Sequence, residues 1–104
     1  MVPKKFIEVM TPGEKWHYDV YTDVVRIMRE KVAEQCKIKD IANRLGPKYL
    51  GLDGTEELLF YTHQAFMEAQ ARLVGSLMSL TNYLARVMPM LKKRLEAQNA
   101  KPTA

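Results

Sequence analysis

The sequence predicts an all-α protein, and three observations carry that prediction. Capping-box patterns, in which a short polar residue is followed three positions later by glutamate, occur at residues 11–14 and 53–56. Each of them precedes a long amphipathic stretch. In the second stretch apolar residues recur at every seventh position: Leu59, Phe66, Leu73, Leu80 and Val87. Between Leu73 and Leu91 the apolar arc spans roughly 200° of the helix surface, which is wider than a two-stranded coiled coil needs.

Taken in order, the chain divides into an arm, a single helical domain and a tail. Residues 1–10 predict an apolar and basic amino-terminal arm, extended or irregular, that docks on a surface. Residues 11–98 predict the domain, and residues 99–104 predict a polar tail. Within the domain we expect a first helix over about 12–36, a short helix over 38–45 that ends at Gly46 and Pro47, and a long helix over about 54–98.

The long helix is predicted to be continuous. A second column begins with His63 and Gln70 and becomes apolar at Leu77, Leu84 and Leu91. Both columns pass through Gly75 without a change of phase, which favours one helix over a helical hairpin broken at that residue. Pro89 falls on the polar side and predicts a bend there, with the proline on the convex face.

The length of this helix predicts association with other chains. About 45 residues at 1.5 Å each form a rod of roughly 65 Å, whereas a compact globule of this size has a radius of gyration near 13 Å. The other half of the chain cannot cover such a rod along its whole length, so we expect a multi-chain helical bundle. The predicted protein interface consists of the residues on the two columns: Leu59, Phe66, Leu73, Leu77, Leu80, Leu84, Val87 and Leu91.

Composition places this chain of 104 residues among small single-domain proteins. Apolar residues make up 47 % and charged residues 27 %, and the net charge is +4. The longest apolar runs are a few residues, so no membrane span is expected. The amino terminus lacks the apolar segment of a secretory signal, and a single cysteine, Cys36, fits a reducing compartment, so we expect an intracellular protein.

Two features indicate nucleic acid as an alternative partner. Residues 37–46 resemble the first helix and turn of a helix-turn-helix motif, although a proline and two glycines follow where a recognition helix would begin. Positive side chains along the long helix and the arm could contact phosphates without reading base sequence. These predicted phosphate contacts are Lys4, Lys5, Arg72, Arg86, Lys92, Lys93 and Arg94.

Catalysis has little support in the sequence. Glu14 and His17 have the Glu-x-x-His spacing of helical di-iron proteins, but a single copy occurs, and we predict no metal and no cofactor. Ser76 and Ser79 lie inside a predicted helix without a suitably spaced histidine. The sequence therefore predicts a non-catalytic helical assembly protein, either a self-associating subunit or a small subunit of a larger complex. The alternatives are a sequence-nonspecific nucleic-acid-binding protein and a small helical metal protein or enzyme.

Overall fold

The computed structural model describes residues 2–100 and consists of one long helical hairpin with a short amino-terminal helix. Helix α1 spans Lys4–Ile7, α2 spans Pro12–Leu45, a 3₁₀ helix spans Gly46–Tyr49, and α3 spans Thr55–Asn99. No strand occurs among these residues, so the all-α prediction is confirmed. Because α2 and α3 lie antiparallel along most of their length, the molecule measures 82 × 17 × 17 Å.

Helix α2 is longer than the sequence predicts. It begins with the expected capping box, in which Thr11 Oγ1 accepts a hydrogen bond from the Glu14 amide and Glu14 accepts one from the Thr11 amide. It does not end near residue 36, so the separate short helix over 38–45 is wrong: these residues continue α2. The physical reason is that no glycine or proline lies between Gly13 and Gly46, so nothing interrupts the backbone hydrogen bonds.

Helix α3 is continuous, as predicted, and includes both Gly75 and Pro89. The predicted bend at Pro89 stays a prediction. The expected capping box at its start is wrong, because the N-cap residue is Gly54, whose φ of 90° is left-handed, and no side chain caps the helix. The helix begins one residue later than the predicted box requires, which leaves Asp53 outside the capping position.

The hydrophobic core lies at one end of the hairpin, where the start of α2 meets the end of α3. Its buried members are Tyr18, Val25, Leu80, Tyr83, Val87 and Leu91. On α3 the column that begins at Leu59, which we predicted to contact other chains, faces α2 of its own chain, and the companion column beside it is one residue earlier than the predicted one. The companion column comprises Thr62, Ala69, Ser76 and Tyr83, all of which are buried.

Three of the four side chains in this companion column are small: Thr62, Ala69 and Ser76. The buried hydroxyl of Thr62 donates to the Leu59 carbonyl at 3.0 Å, and that of Ser76 donates to the Leu73 carbonyl at 2.7 Å. Each hydroxyl is therefore satisfied within its own helix and carries no penalty for an unpaired polar group. This is why a sequence search for large apolar residues overlooks the column.

The amino-terminal arm covers the end of α3. It contains one helical turn, α1, where we expected extended or irregular chain. Its apolar side chains pack against the core: Val2, Phe6, Ile7, Val9 and Met10. The predicted polar tail begins inside α3, which ends at Asn99, and from residue 101 it lies outside the described residues.

Candidate protein-interaction surface

The structure places the predicted interface residues mainly inside the hairpin. Leu80, Val87 and Leu91 are buried against α2 and the arm, and Leu91 is fully enclosed. The other five are half-buried: Leu59, Phe66, Leu73, Leu77 and Leu84. We expected the other half of the chain to leave much of the long helix uncovered. With 34 residues, α2 reaches most of the inner face of α3.

A different apolar surface is left uncovered on the outer side of α2. Two sets of positions recur there every seven residues, and their six apolar members are 37–50 % exposed. Polar residues, Lys31 and Glu34, occupy the middle of both sets. We call this surface the outer seam; it comprises Val20, Val24, Ile27, Lys31, Glu34, Ile38, Ile41 and Leu45.

The outer seam continues into a pocket at the turn of the hairpin. This turn-end pocket has a volume of about 380 Å³ and opens between the end of α2 and the start of α3. Its lining is almost entirely apolar: Ile38, Ile41, Ala42, Leu45, Gly46, Tyr49, Leu52, Thr55, Leu58, Leu59 and Thr62. Pockets of this size and character bind apolar groups.

Helix α3 also has an exposed apolar strip along its first two thirds. Phe60, Met67, Val74 and Met78 are each about half exposed or more. They lie beside the half-buried residues Phe66, Leu73 and Leu77 and form a continuous surface with them. The amino-terminal arm packs against the core cluster, while the side chains of this strip stay exposed.

One predicted phosphate contact, Arg94, has a structural role instead. Its Nη1 and Nη2 atoms donate to the two carboxylate oxygens of Glu14, and Nη1 also donates to the Val9 carbonyl at 3.0 Å. The bidentate ion pair joins the end of α3 to the start of α2, and the bond to Val9 joins α3 to the arm. The remaining predicted contacts are exposed: Lys4, Lys5, Arg72, Arg86, Lys92 and Lys93.

The ion pair strongly affects the ionisation of Glu14. The hydrogen bonds from the Arg94 guanidinium, aided by the Thr11 amide, lower the pKa of Glu14 from 4.5 to about 2, against the opposing effect of burial. The Glu14 backbone carbonyl also accepts a hydrogen bond from the Tyr83 hydroxyl at 3.0 Å, and burial raises the pKa of that hydroxyl. Glu14 thus links the start of α2 to the end of α3, at the end of the hairpin opposite the turn.

These contacts bear on the Glu-x-x-His spacing as well. Both carboxylate oxygens of Glu14 accept hydrogen bonds, while the His17 ring packs edge-on against the Tyr83 ring at 5.7 Å. Within residues 2–100, no three histidine, cysteine, aspartate or glutamate side chains converge as metal ligands would.

Among the described helices, none combines the length and apolar character needed to cross a bilayer.

Sequence reasoning missed the outer seam because it divided α2 into two helices. Once residues 12–45 are one helix, the seven-residue recurrence of Val20, Ile27 and Ile41 is plain in the sequence. The same holds for Val24, Ile38 and Leu45.

Comparison of the chain with profiles of protein families, with curated proteins and with solved structures finds no match.

Proposed function

We propose that this protein is a non-catalytic helical assembly subunit that associates with another protein chain through the exposed apolar surface of its hairpin. One observation carries the proposal. Between residues 2 and 100 the hairpin encloses few apolar side chains, and Leu91 is the one large side chain that it buries completely. Seventeen large apolar side chains remain exposed in the same segment. Large exposed apolar patches mark interaction sites.

The shape of the molecule supports the same proposal. The chain exposes 7836 Å² of surface, whereas a compact folded monomer of 12.0 kDa exposes about 6,000 Å². A single pair of helices has only one contact layer, so each helix keeps an apolar stripe that a second layer would cover. A further helical chain provides such a layer most simply.

The proposal predicts that the purified protein has a mass above that of one chain. Light scattering coupled to size exclusion, from micromolar to millimolar concentration, should give a mass that rises toward a multiple of 12.0 kDa. Two variants locate the contact: Ile27→Lys with Ile38→Lys on the outer seam, and Met67→Lys with Val74→Lys on the exposed strip of α3. At least one of them should stay at the mass of one chain.

The choice of exposed positions keeps this test independent of folding. Leu80 and Leu91 lie in the core of the hairpin, so charged substitutions there would unfold the chain instead of reporting on association. Circular dichroism should show unchanged helix content in both exposed-site variants. A wild-type protein that stays at the mass of one chain over the whole range would refute self-association.

A further inference from the structure

The outer seam of α2 has an internal symmetry that its composition alone does not require. Apolar residues stand at both of its ends, and a basic and an acidic residue stand side by side at its centre. Reversing the direction of the helix about the point between Val32 and Ala33 exchanges apolar with apolar positions. The same reversal exchanges Lys31 with Glu34. A surface of this kind is complementary to itself when two copies run antiparallel.

We infer that two copies of this chain pair antiparallel through their outer seams, related by a two-fold axis that passes between Val32 and Ala33. This inference rests on the proposed function and specifies its partner and contact surface. The seam from Val20 to Leu45 would give an interface about 38 Å long. Such a pairing is closed, because each copy uses the same surface as the other.

The seven-residue recurrence fits the packing rule of coiled coils. In an antiparallel pair of helices, each residue of one seam column meets a residue of the other column in the second copy. Here every such match joins side chains of compatible character. From the ends to the centre the matches are Val20 with Leu45, Val24 with Ile41, Ile27 with Ile38, and Lys31 with Glu34 of the second copy.

The central match decides the direction of pairing. In the antiparallel arrangement two reciprocal Lys31–Glu34 ion pairs form across the axis. In a parallel, in-register arrangement Lys31 would meet Lys31 and Glu34 would meet Glu34, and like charges across an interface are strongly unfavourable. A polar layer inside an apolar seam commonly fixes register and direction at some cost in stability.

Charged residues on the flank of the seam follow the same symmetry. Asp23 and Glu30 precede the seam residues Val24 and Lys31, and in the antiparallel register they lie nearest to Arg44 and Lys37 of the second copy. Both matches therefore join opposite charges. Within the chain, Asp23 and Glu30 each pair with the solvent-exposed Arg26, at 3.6 and 3.3 Å. Exposed pairs of this kind are weak and are readily exchanged.

The turn-end pocket gives the interface an anchor at each end. Trp16 is 64 % exposed, and in the same register it lies one helical turn beyond the match of Val20 with Leu45, at the end of the seam where the pocket of the second copy begins. The pocket is lined by seam residues, among them Ile41 and Leu45, so it lies on the same side of the molecule. Buried tryptophans in apolar pockets dominate the energetics of many interfaces. The second copy therefore fills the pocket with the Trp16 indole.

A charge exchange at the centre of the seam tests this arrangement. Lys31→Glu places glutamate against Glu34 of the second copy, and Glu34→Lys places lysine against Lys31, so each variant should dimerise at least roughly tenfold more weakly than wild type. The double variant, Lys31→Glu with Glu34→Lys, restores both pairs with reversed polarity. It should recover dimerisation, and an equimolar mixture of the two single variants should form a heterodimer.

The measurement is sedimentation equilibrium of the full chain, with circular dichroism to confirm unchanged helix content. Equal dimerisation of wild type and both single variants would overturn the antiparallel seam. If the seam variants dimerise normally while Met67→Lys with Val74→Lys abolishes dimerisation, the proposed function stands and this inference fails. If the wild type never exceeds one chain, self-association and the seam fail together.

A second readout uses the single tryptophan of the chain. On dilution of the dimer, Trp16 fluorescence should shift from the emission of an apolar environment to that of water, with the same concentration dependence as the mass. Leu45→Lys, which places a charge in the pocket of the second copy, should prevent the shift. An emission maximum that does not change while the mass halves would contradict the placement of Trp16 in the pocket.

Discussion

At the scale of single residues, the contact between Glu14 and Arg94 carries the most information about how the chain closes. Glu14 belongs to the capping box of α2, and Arg94 lies in the last turns of α3. Their ion pair joins residues that are far apart in sequence, and Arg94 also holds the arm through the Val9 carbonyl. A residue that caps one helix thus also sets the register of the hairpin.

This contact predicts a pH dependence of stability. The folded-state pKa of Glu14 is about 2 and its ordinary value is 4.5. Because folding lowers the pKa, the charged form stabilises the fold fully above pH 4.5, and this contribution is lost as the pH falls toward 2. Urea unfolding at neutral pH should therefore show Glu14→Gln to be less stable than wild type, with a difference that shrinks between pH 4.5 and pH 2.

The matched control for this experiment is Asp19→Asn. Asp19 is also negatively charged and paired with a basic side chain, that of Lys15, but it is 53 % exposed and lies outside the outer seam. Its substitution should change stability little at any pH, since exposed ion pairs contribute weakly. A difference between wild type and Glu14→Gln that is constant from pH 7 to pH 2 would show that ionisation of Glu14 is not the cause.

At the scale of elements, two glycines of α3 have opposite roles: one lies inside the helix and the other is its N-cap residue. Gly75 lies on the exposed side of a continuous helix, and nothing would lie within 4 Å of an added Cβ atom. Gly54 precedes the helix with a φ of 90°, a conformation that other residues adopt only with strain. The first glycine is thus tolerated, whereas the second is required.

The structure therefore predicts stability changes of opposite sign. Gly75→Ala should stabilise the protein by about 0.5–1 kcal/mol, because alanine loses less backbone entropy in a helix. Gly54→Ala should destabilise it by about 1–2 kcal/mol, because its Cβ atom disfavours the left-handed conformation. Thermal unfolding at one fixed protein concentration measures both changes. Destabilisation by Gly75→Ala would indicate that α3 bends or breaks at this residue.

The end of α2 illustrates how an element depends on its neighbours. Gly46 is buried in the turn, and an added Cβ atom would lie 2.7 Å from a terminal methyl carbon of Leu59. The absence of a side chain at Gly46 thus lets the Leu59 side chain of α3 pack closely against the end of α2. The sequence indicates a stop at Gly46 and Pro47, but it does not show that the stop also provides the contact with α3.

At the scale of the whole molecule, a hairpin 82 Å long has a high ratio of surface to core. Its buried cluster occupies one end, and the turn end has exposed aliphatic side chains and the apolar pocket. Burial of apolar area is the main driving force of folding, so the turn end gains little stability from the chain itself. A second chain on the outer seam would supply that burial.

The stability of the whole molecule should consequently depend on protein concentration. Because association stabilises the folded state by mass action, the melting temperature should rise over a hundredfold increase in concentration. Lys31→Glu, which weakens the inferred dimer, serves as the control and should melt at a nearly constant temperature. A wild-type melting temperature that is independent of concentration would indicate that folding and association are not linked.

The sequence by itself determined the class of the protein, the start of α2, and the continuity of α3 through Gly75. These features depend on local signals: a capping box, the absence of turn formers, and a steady seven-residue recurrence. It also predicted the column that begins at Leu59. It could not show which neighbouring column lies against α2, so it chose Leu77 and Leu84, where the structure buries Ser76 and Tyr83.

Only the tertiary structure decided which apolar residues face inward. The apolar side chains of α2 divide into two groups: Tyr21 and Val25 pack against α3, while Val20, Val24 and Ile27 form part of the outer seam. Periodicity identifies the apolar sides of a helix, but the partner helix determines which side is covered. Arg94 was assigned to phosphate contacts for the same reason, because its partner Glu14 lies eighty residues away and only folding brings the two together.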